Sequence, residues 1–253
     1  MKNLQKEKII NHDVNVINFD SLLKEVKKLS ISNMGHYICI TAVHSIIEAY
    51  NNKKFAKIVN SADLTLADGR PVFWALKLLN HKDIGHFPGY RVTRIICKYA
   101  SENKLKVGFY GGKPETLKKC IKNLKDEFKD LETGYLYSPP YRDLNSEEKK
   151  SVINNINKSE IKFLFVCLGC PKQEYWMEEH KSSINCTKIG IGAAIDFIAG
   201  EKYLPPIWVQ RMGLFWLTRL ILEPRRLFWR YFSTNFKFIY LFSKQYFKKK
   251  INE

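Results

Sequence analysis

Residues 162–174 read Lys162-Phe163-Leu164-Phe165-Val166-Cys167-Leu168-Gly169-Cys170-Pro171-Lys172-Gln173-Glu174, an apolar run that ends in a glycine and a helix-starting proline. An apolar run without polar alternation is buried on both faces, as the interior strands of a parallel sheet are. Working outward, residues 37–41 (YICIT), 106–110 (KVGFY) and 188–191 (KIGI) repeat the pattern, and 162–168 completes the set. Amphipathic stretches at 43–52, 71–79, 92–102, 114–128, 146–158 and 173–181 lie between them, the fifth preceded by Asn145 as a cap. Strand and helix in alternation predict an α/β fold with a largely parallel sheet flanked by helices. In such sheets ligands bind beyond the carboxyl ends of the strands, so the turns after each strand are where chemistry is sought.

From about residue 205 the strand signals stop and Trp, Phe, Leu and Arg take over. The chain thus divides into an α/β catalytic domain over 1–204 and a basic, aromatic helical appendage over 205–253. Residues 201–253 hold eleven Lys and Arg against three Glu, a net of +8. A tail of this kind fits an interfacial membrane anchor; up to Tyr231 a core-packing helix pair with a solvated basic face fits about as well. Beyond Tyr231 the residues Phe232, Phe236, Phe238, Ile239, Leu241, Phe242 and Phe247 exceed what a peripheral helix normally buries, which favours the membrane.

The formal charge of +17, from 42 Lys and Arg against 25 Asp and Glu, favours anionic partners: nucleic acid, nucleotide-sugar phosphates or acidic lipid headgroups. The first twenty residues contain no apolar signal-like core, and no stretch reaches the roughly 18 apolar residues of a spanning helix. A cytoplasmic protein, peripheral on the membrane, is therefore expected. The six cysteines lie mostly inside apolar runs and read as reduced thiols; Cys167 and Cys170 form a C-x-x-C without a second pair to complete a zinc site.

Four turns carry candidate chemistry. Asp68 ends the short apolar strand Leu64-Thr65-Leu66-Ala67 before Gly69-Arg70-Pro71. A carboxylate there serves either as a general base towards an acceptor hydroxyl or as a cap of the helix that follows. Gly111 and Gly112 precede Lys113-Pro114, where free amides at a helix start can receive a phosphate, although a tight turn explains them equally. In the turn 169–174, Lys172 could face a phosphate and Gln173 could hydrogen-bond a sugar, while Glu174 suits the helix dipole in the first turn. Asp196, after Gly192-Ala193-Ala194-Ile195, is placed for a ribose or a base, and the small residues fit either a flat ligand or close packing.

These residues, with Asn60-Ser61-Ala62-Asp63, Ser138-Pro139-Pro140-Tyr141-Arg142, the stretch 213–220 (GLFWLTRL) and Glu223-Pro224-Arg225-Arg226-Leu227, resemble the WecG/TagA/CpsF glycosyltransferases over roughly residues 15–235. The resemblance implies a Rossmann-like sheet and inverting, metal-independent transfer without a cofactor. It implies a UDP-linked N-acetylhexosamine donor, often N-acetylmannosamine, and a polyprenyl-diphosphate-linked sugar acceptor in bacterial cell-surface polysaccharide or teichoic acid synthesis. By position, Asp68 matches the general base, and Thr41 and Gln173 match pocket residues. Arg219, Arg226 and Arg230 match appendage arginines that reach over the site to the diphosphate. The family appendage is further implied to attach to the membrane at its inner face and to complete the site, with a homo-oligomer giving way to a monomer.

Two positions depart from the family. Where many members read Thr-x-Asn, this chain has Thr41-Ala42-Val43 followed by His44, a partial substitute or a packing residue. Where members carry Arg-x-x-Gly-x-Asp, it has His86-Phe87-Pro88-Gly89-Tyr90-Arg91, with Arg91 as the neighbouring positive charge. Both bear on the identity of the sugar more than on the reaction. Two rival readings are a nucleic-acid binder, which leaves the polar strand-end turns unexplained, and an inactive membrane scaffold that keeps the fold.

Overall fold

A computed structural model of the protein describes residues 4–252, apart from the side chains of Arg226 and Arg230. The chain opens with a hairpin of β1 (Lys6–Ile9) and β2 (His12–Asn15), then α1 (Phe19–Ile31), whose N-cap Asn18 accepts the Ser21 amide. Next come β3 (Tyr37–Thr41), α2 (Val43–Asn51), α3 (Lys53–Asn60), β4 (Leu64–Ala67), α4 (Arg70–Leu78) and α5 (Gly89–Glu102). The second half runs β5 (Lys106–Gly111), α6 (Pro114–Glu127), β6 (Glu132–Tyr137), α7 (Ser146–Lys158), β7 (Phe163–Cys167), α8 (Lys172–Glu179), β8 (Thr187–Gly190) and α9 (Ala194–Ile198). The tail forms α10 (Ile207–Arg211), α11 (Phe215–Leu222) and the long α12 (Pro224–Asn252).

Six strands make one parallel sheet in the order β4-β3-β8-β7-β5-β6. The apolar run at 162–168 sits in its interior as β7, and its side chains divide between two cores as a pleat requires. Phe163 and Phe165 join Ile38, Leu66, Phe109 and residues of α1, α5, α6 and α9 on one face. Leu164 and Val166 join Tyr37, Tyr110 and residues of α3, α7 and α8 on the other. The strands and helices expected from the pattern are present with their ends displaced by at most three residues, and the helix at 146–158 starts in a capping box between Asn145 and Glu148.

The elements without a strong apolar signal lie at the edges of the sheet. Strand β6, at one edge of the sheet, alternates exposed and half-buried residues throughout. At the other edge, β2 lies beside β4, and Asn15 Oδ1 accepts the Thr65 amide at 2.7 Å. None of the six cysteines is disulfide-bonded.

Beyond Tyr231, where the excess of aromatic residues favours the membrane, part of the tail is a core element instead. Phe238 and Phe242 are buried, at 4% and 7% exposure, in a third core with Ile9 and Val14 of the hairpin, Ile46 and Ile47 of α2, and Val72 and Leu76 of α4. The outer faces of α2 and α4 are themselves apolar and need a cover, which α12 provides. Gln245 fastens it: its Oε1 accepts the Ile10 amide at 2.7 Å and its Nε2 donates to the Lys8 carbonyl at 2.6 Å. Phe232, Phe236, Ile239 and Phe247 remain exposed. Among the described residues no helix is long and apolar enough to cross a membrane.

Candidate active site

The principal cleft opens at the carboxyl ends of β3 and β4. Its floor is made by the turns that follow them, Ala42 to His44 and Asp68 to Pro71, together with His86, Pro88 and Tyr90 at the start of α5. Helices α2, α4 and α5 all begin here, and their N-caps Ala42, Gly69 and Pro88 make no side-chain capping hydrogen bond. Three sets of uncapped amides therefore converge on one space, an arrangement that attracts negative charge.

The roof comes from the tail. Gln210 of α10, Phe215, Trp216 and Arg219 of α11, and Tyr231, Thr234 and Asn235 of α12 close the cleft from above. The roof is held down by Gln210, whose carbonyl accepts Arg70 Nε at 3.0 Å and whose Oε1 accepts the Tyr90 hydroxyl at 2.5 Å. At Gly213 the chain passes close to the Trp74 ring with φ +77°, a backbone conformation that favours glycine.

Asp68 lies on the floor. Enclosure by the surrounding protein pushes its carboxyl up to about 7, against the pull of the Arg219 guanidinium, which favours the ionised form. His86, whose ring bonds the Asp68 main chain, is lowered to about 4, by burial first and then by the charge of Arg70, so it is neutral near pH 7. Arg219 stacks over the Phe197 ring with its guanidinium carbon 5.6 Å from the centroid, and its Nε is buried without a hydrogen-bond partner. The cleft thus holds a carboxyl poised to change charge near neutrality beneath a cation with unused hydrogen-bonding capacity.

Of the residues singled out from the sequence, Asp68, His44 and Arg219 line this cleft. Thr41 does not: it is buried behind the floor, its Oγ1 2.9 Å from His12 Nε2. Gln173 is also buried, accepting the Gly169 amide at 3.2 Å and donating to Glu174 at 2.9 Å. It lies against Gly190, where a Cβ would meet it at 2.9 Å, and so braces the ends of β7 and β8. Arg91 turns away to stack on Phe19 at 4.1 Å, and Asp196 pairs with Lys202 at 2.6 Å.

Gly111 and Gly112, with φ of +104° and +78°, form the tight turn between β5 and α6, and Lys172 is exposed at the start of α8; these three lie outside the cleft lining. Arg226 and Arg230 lie in α12, but their side chains fall outside the described residues. Sequence reasoning missed Arg70, Tyr90, Gln210, Trp216 and Tyr231. Arg70 had a signal, since it directly follows Asp68-Gly69 at a helix start.

The sequence model of the Glycosyl transferase WecG/TagA/CpsF family matches residues 7–252. The chain belongs to this family. This WecG/TagA/CpsF member is therefore a glycosyltransferase, and the cleft around Asp68 is its candidate active site. It is 27% identical over 199 residues to the N-acetylglucosaminyldiphosphoundecaprenol N-acetyl-beta-D-mannosaminyltransferase of Bacillus spizizenii W23, covering 78% of this chain and 75% of the relative. Proteins of the same name match it at 24% in Bacillus subtilis 168 (88% and 86% covered) and at 23% in Staphylococcus aureus NCTC 8325 (85% and 86%).

Proposed function

We propose that this glycosyltransferase moves an N-acetylhexosamine, N-acetylmannosamine in the relatives' names, from a UDP donor to N-acetylglucosaminyl-diphosphoundecaprenol in cell-wall polymer synthesis. The observation that carries the reading is Asp68, a carboxyl pushed up to about 7 on the floor of a cleft built from three helix N-termini and Arg219. A base titrating near the working pH both accepts a proton readily and is ionised in useful proportion. Asp68 takes the proton of the acceptor hydroxyl as its oxygen attacks the anomeric carbon. The bond from that carbon to the donor diphosphate breaks, the electron pair leaves with UDP, and the configuration inverts. Arg219, Arg70 and the uncapped amides receive the leaving diphosphate.

The acceptor's lipid places the reaction at a membrane, and the outer face of α11 and α12, with Ile221, Phe228, Trp229, Phe232 and Phe236 exposed, is an apolar patch set among basic residues. We assign it to the inner surface of the cell membrane, where indole and phenyl rings enter the headgroup layer and Lys and Arg meet anionic lipids.

The test is UDP release by the purified chain from UDP-N-acetylmannosamine and other UDP-N-acetylhexosamines, with a short-chain lipid-diphosphate-N-acetylglucosamine acceptor. Acceptor-dependent release should fall by roughly a thousandfold or more in Asp68→Asn. It should rise with pH to a plateau above about 7 in the native chain. The same substitution should stabilise the fold at pH 8. A carboxyl that titrates higher in the folded than in the unfolded chain destabilises the fold as pH rises from about 4 through about 7, each pH unit in that window costing about 1.4 kcal/mol. Activity retained by Asp68→Asn would refute the assignment of the base.

A further inference from the structure

The N-terminal hairpin contributes no residue to the cleft lining, yet it reaches the back of the catalytic turn. His12, the first residue of β2, is fully buried, and its Nε2 shares a 2.9 Å hydrogen bond with Thr41 Oγ1. Thr41 ends β3 in register with Ala67, and its carbonyl accepts the amide of Asp68 at 2.9 Å. Three residues before Asp68, the Thr65 amide is held by Asn15 of the same hairpin. The hairpin thus grips β4 directly and Asp68 through one intervening residue.

The chemistry of His12 argues against a space-filling role. Its Nδ1 is buried without a partner, so the ring is matched only on the side of Thr41. Burial, and then the charge of Lys6, drive its pKa down to about 3, which keeps it neutral. A half-matched imidazole carries a desolvation cost that a leucine in the same space avoids. What the imidazole provides in return is the fixed orientation of the Thr41 hydroxyl.

We propose that His12 is a positioning residue for the transfer reaction: through Thr41 it fixes the strand end and turn that hold the Asp68 carboxyl at the cleft floor. The proposal rests on the reading of Asp68 as the base. Arg219 from α11, Tyr90 from α5 and His86 before it face the same turn and are unaltered in the variants below.

The experiment compares His12→Leu, His12→Gln, Thr41→Val and the pair His12→Leu/Thr41→Val in the full chain, with kcat, donor KM, the pH profile and thermal unfolding measured for each. His12→Leu and Thr41→Val should each lower kcat about tenfold with donor KM changed less than about twofold, and together cost no more than either alone. His12→Gln, whose amide reaches the position of Nε2, should recover most of the loss. The midpoint of the acid limb should fall in His12→Leu and Thr41→Val, because a loosened carboxyl gains water and titrates nearer its ordinary range. Should His12→Leu not fold, Thr41→Val, nearly the same shape, carries the test through the kcat loss and the displaced midpoint. Unchanged kcat, additive losses, or no recovery in His12→Gln would overturn the proposal. Failure of the base assignment shows separately, as activity retained by Asp68→Asn.

Discussion

The two halves of helix α12 are built from the same ingredients, and both leave apolar side chains exposed on the outside, but their inward faces do different things. Residues 224–236 and 237–252 are both rich in aromatic and basic side chains. In the second half Phe238 and Phe242 are 4% and 7% exposed, packed on α2, α4 and the hairpin, with Lys249 paired to Glu7 at 3.3 Å. In the first half Trp229 and Phe232 are 73% and 52% exposed, while Tyr231, Thr234 and Asn235 turn inward to roof the cleft. Composition does not separate the halves; the surface opposite each one does. Where α2 and α4 present an apolar face, the helix completes a core. Where the cleft opens, the inward face of the same kind of helix lines a cavity instead.

The largest effect expected from this difference is on stability. Phe242→Ala removes a ring from a closed core and should cost about 3–5 kcal/mol, read as a lowered midpoint in thermal or denaturant unfolding. A loss below about 1 kcal/mol would mean that the second half does not complete the core, and the contrast between the halves would collapse.

The next effect should appear only in the first half. Trp229→Ser with Phe232→Ser should leave the unfolding midpoint within about 0.5 kcal/mol of the native chain, because neither ring is in a core. On the proposed membrane assignment, flotation with vesicles containing anionic lipid should weaken by about tenfold or more in this variant. Equal flotation would remove the membrane from the account of these side chains, and a lowered midpoint would show that they pack on the protein after all.

The same contrast explains what the sequence made legible. Strands buried on both faces announce themselves whether interior, like residues 37–41, or at an edge that the hairpin covers, like residues 64–67. Strand β6 and the hairpin do not, since β6 leaves one side exposed and β2 spends His12 and Asn15 on hydrogen bonds. In the cleft, Asp68 is visible as a carboxylate at a strand end, and His44 and Arg219 are visible through the family resemblance. Position at a strand end or in the helix start that follows it does not say which way a side chain turns, however, and Thr41 and Gln173 turn inward to support the floor and its neighbours. Gln210, Tyr90 and Tyr231 acquire a role only when a tail 120 residues further on folds back over α5, as the Tyr90 to Gln210 bond shows. Sequence-local patterns carry no record of such a contact.

The smallest effect tests whether the roof acts on the floor by charge as well as by covering it. Arg219 draws the Asp68 carboxyl towards its ionised form while burial pushes the other way, with burial the stronger. Arg219→Met keeps an apolar stem against Phe197 and deletes the charge. The midpoint of the acid limb should therefore move upward, by about one pH unit. The direction is opposite to that expected when His12 is lost, because deleting a cation disfavours the carboxylate whereas admitting water favours it. Measured side by side, the two variants separate the electrostatic contribution of the roof from the enclosure of the floor. An unmoved midpoint in Arg219→Met would assign the roof to enclosure alone. A midpoint rising with salt in the native chain, and indifferent to salt in the variant, would locate the effect in the Arg219 charge.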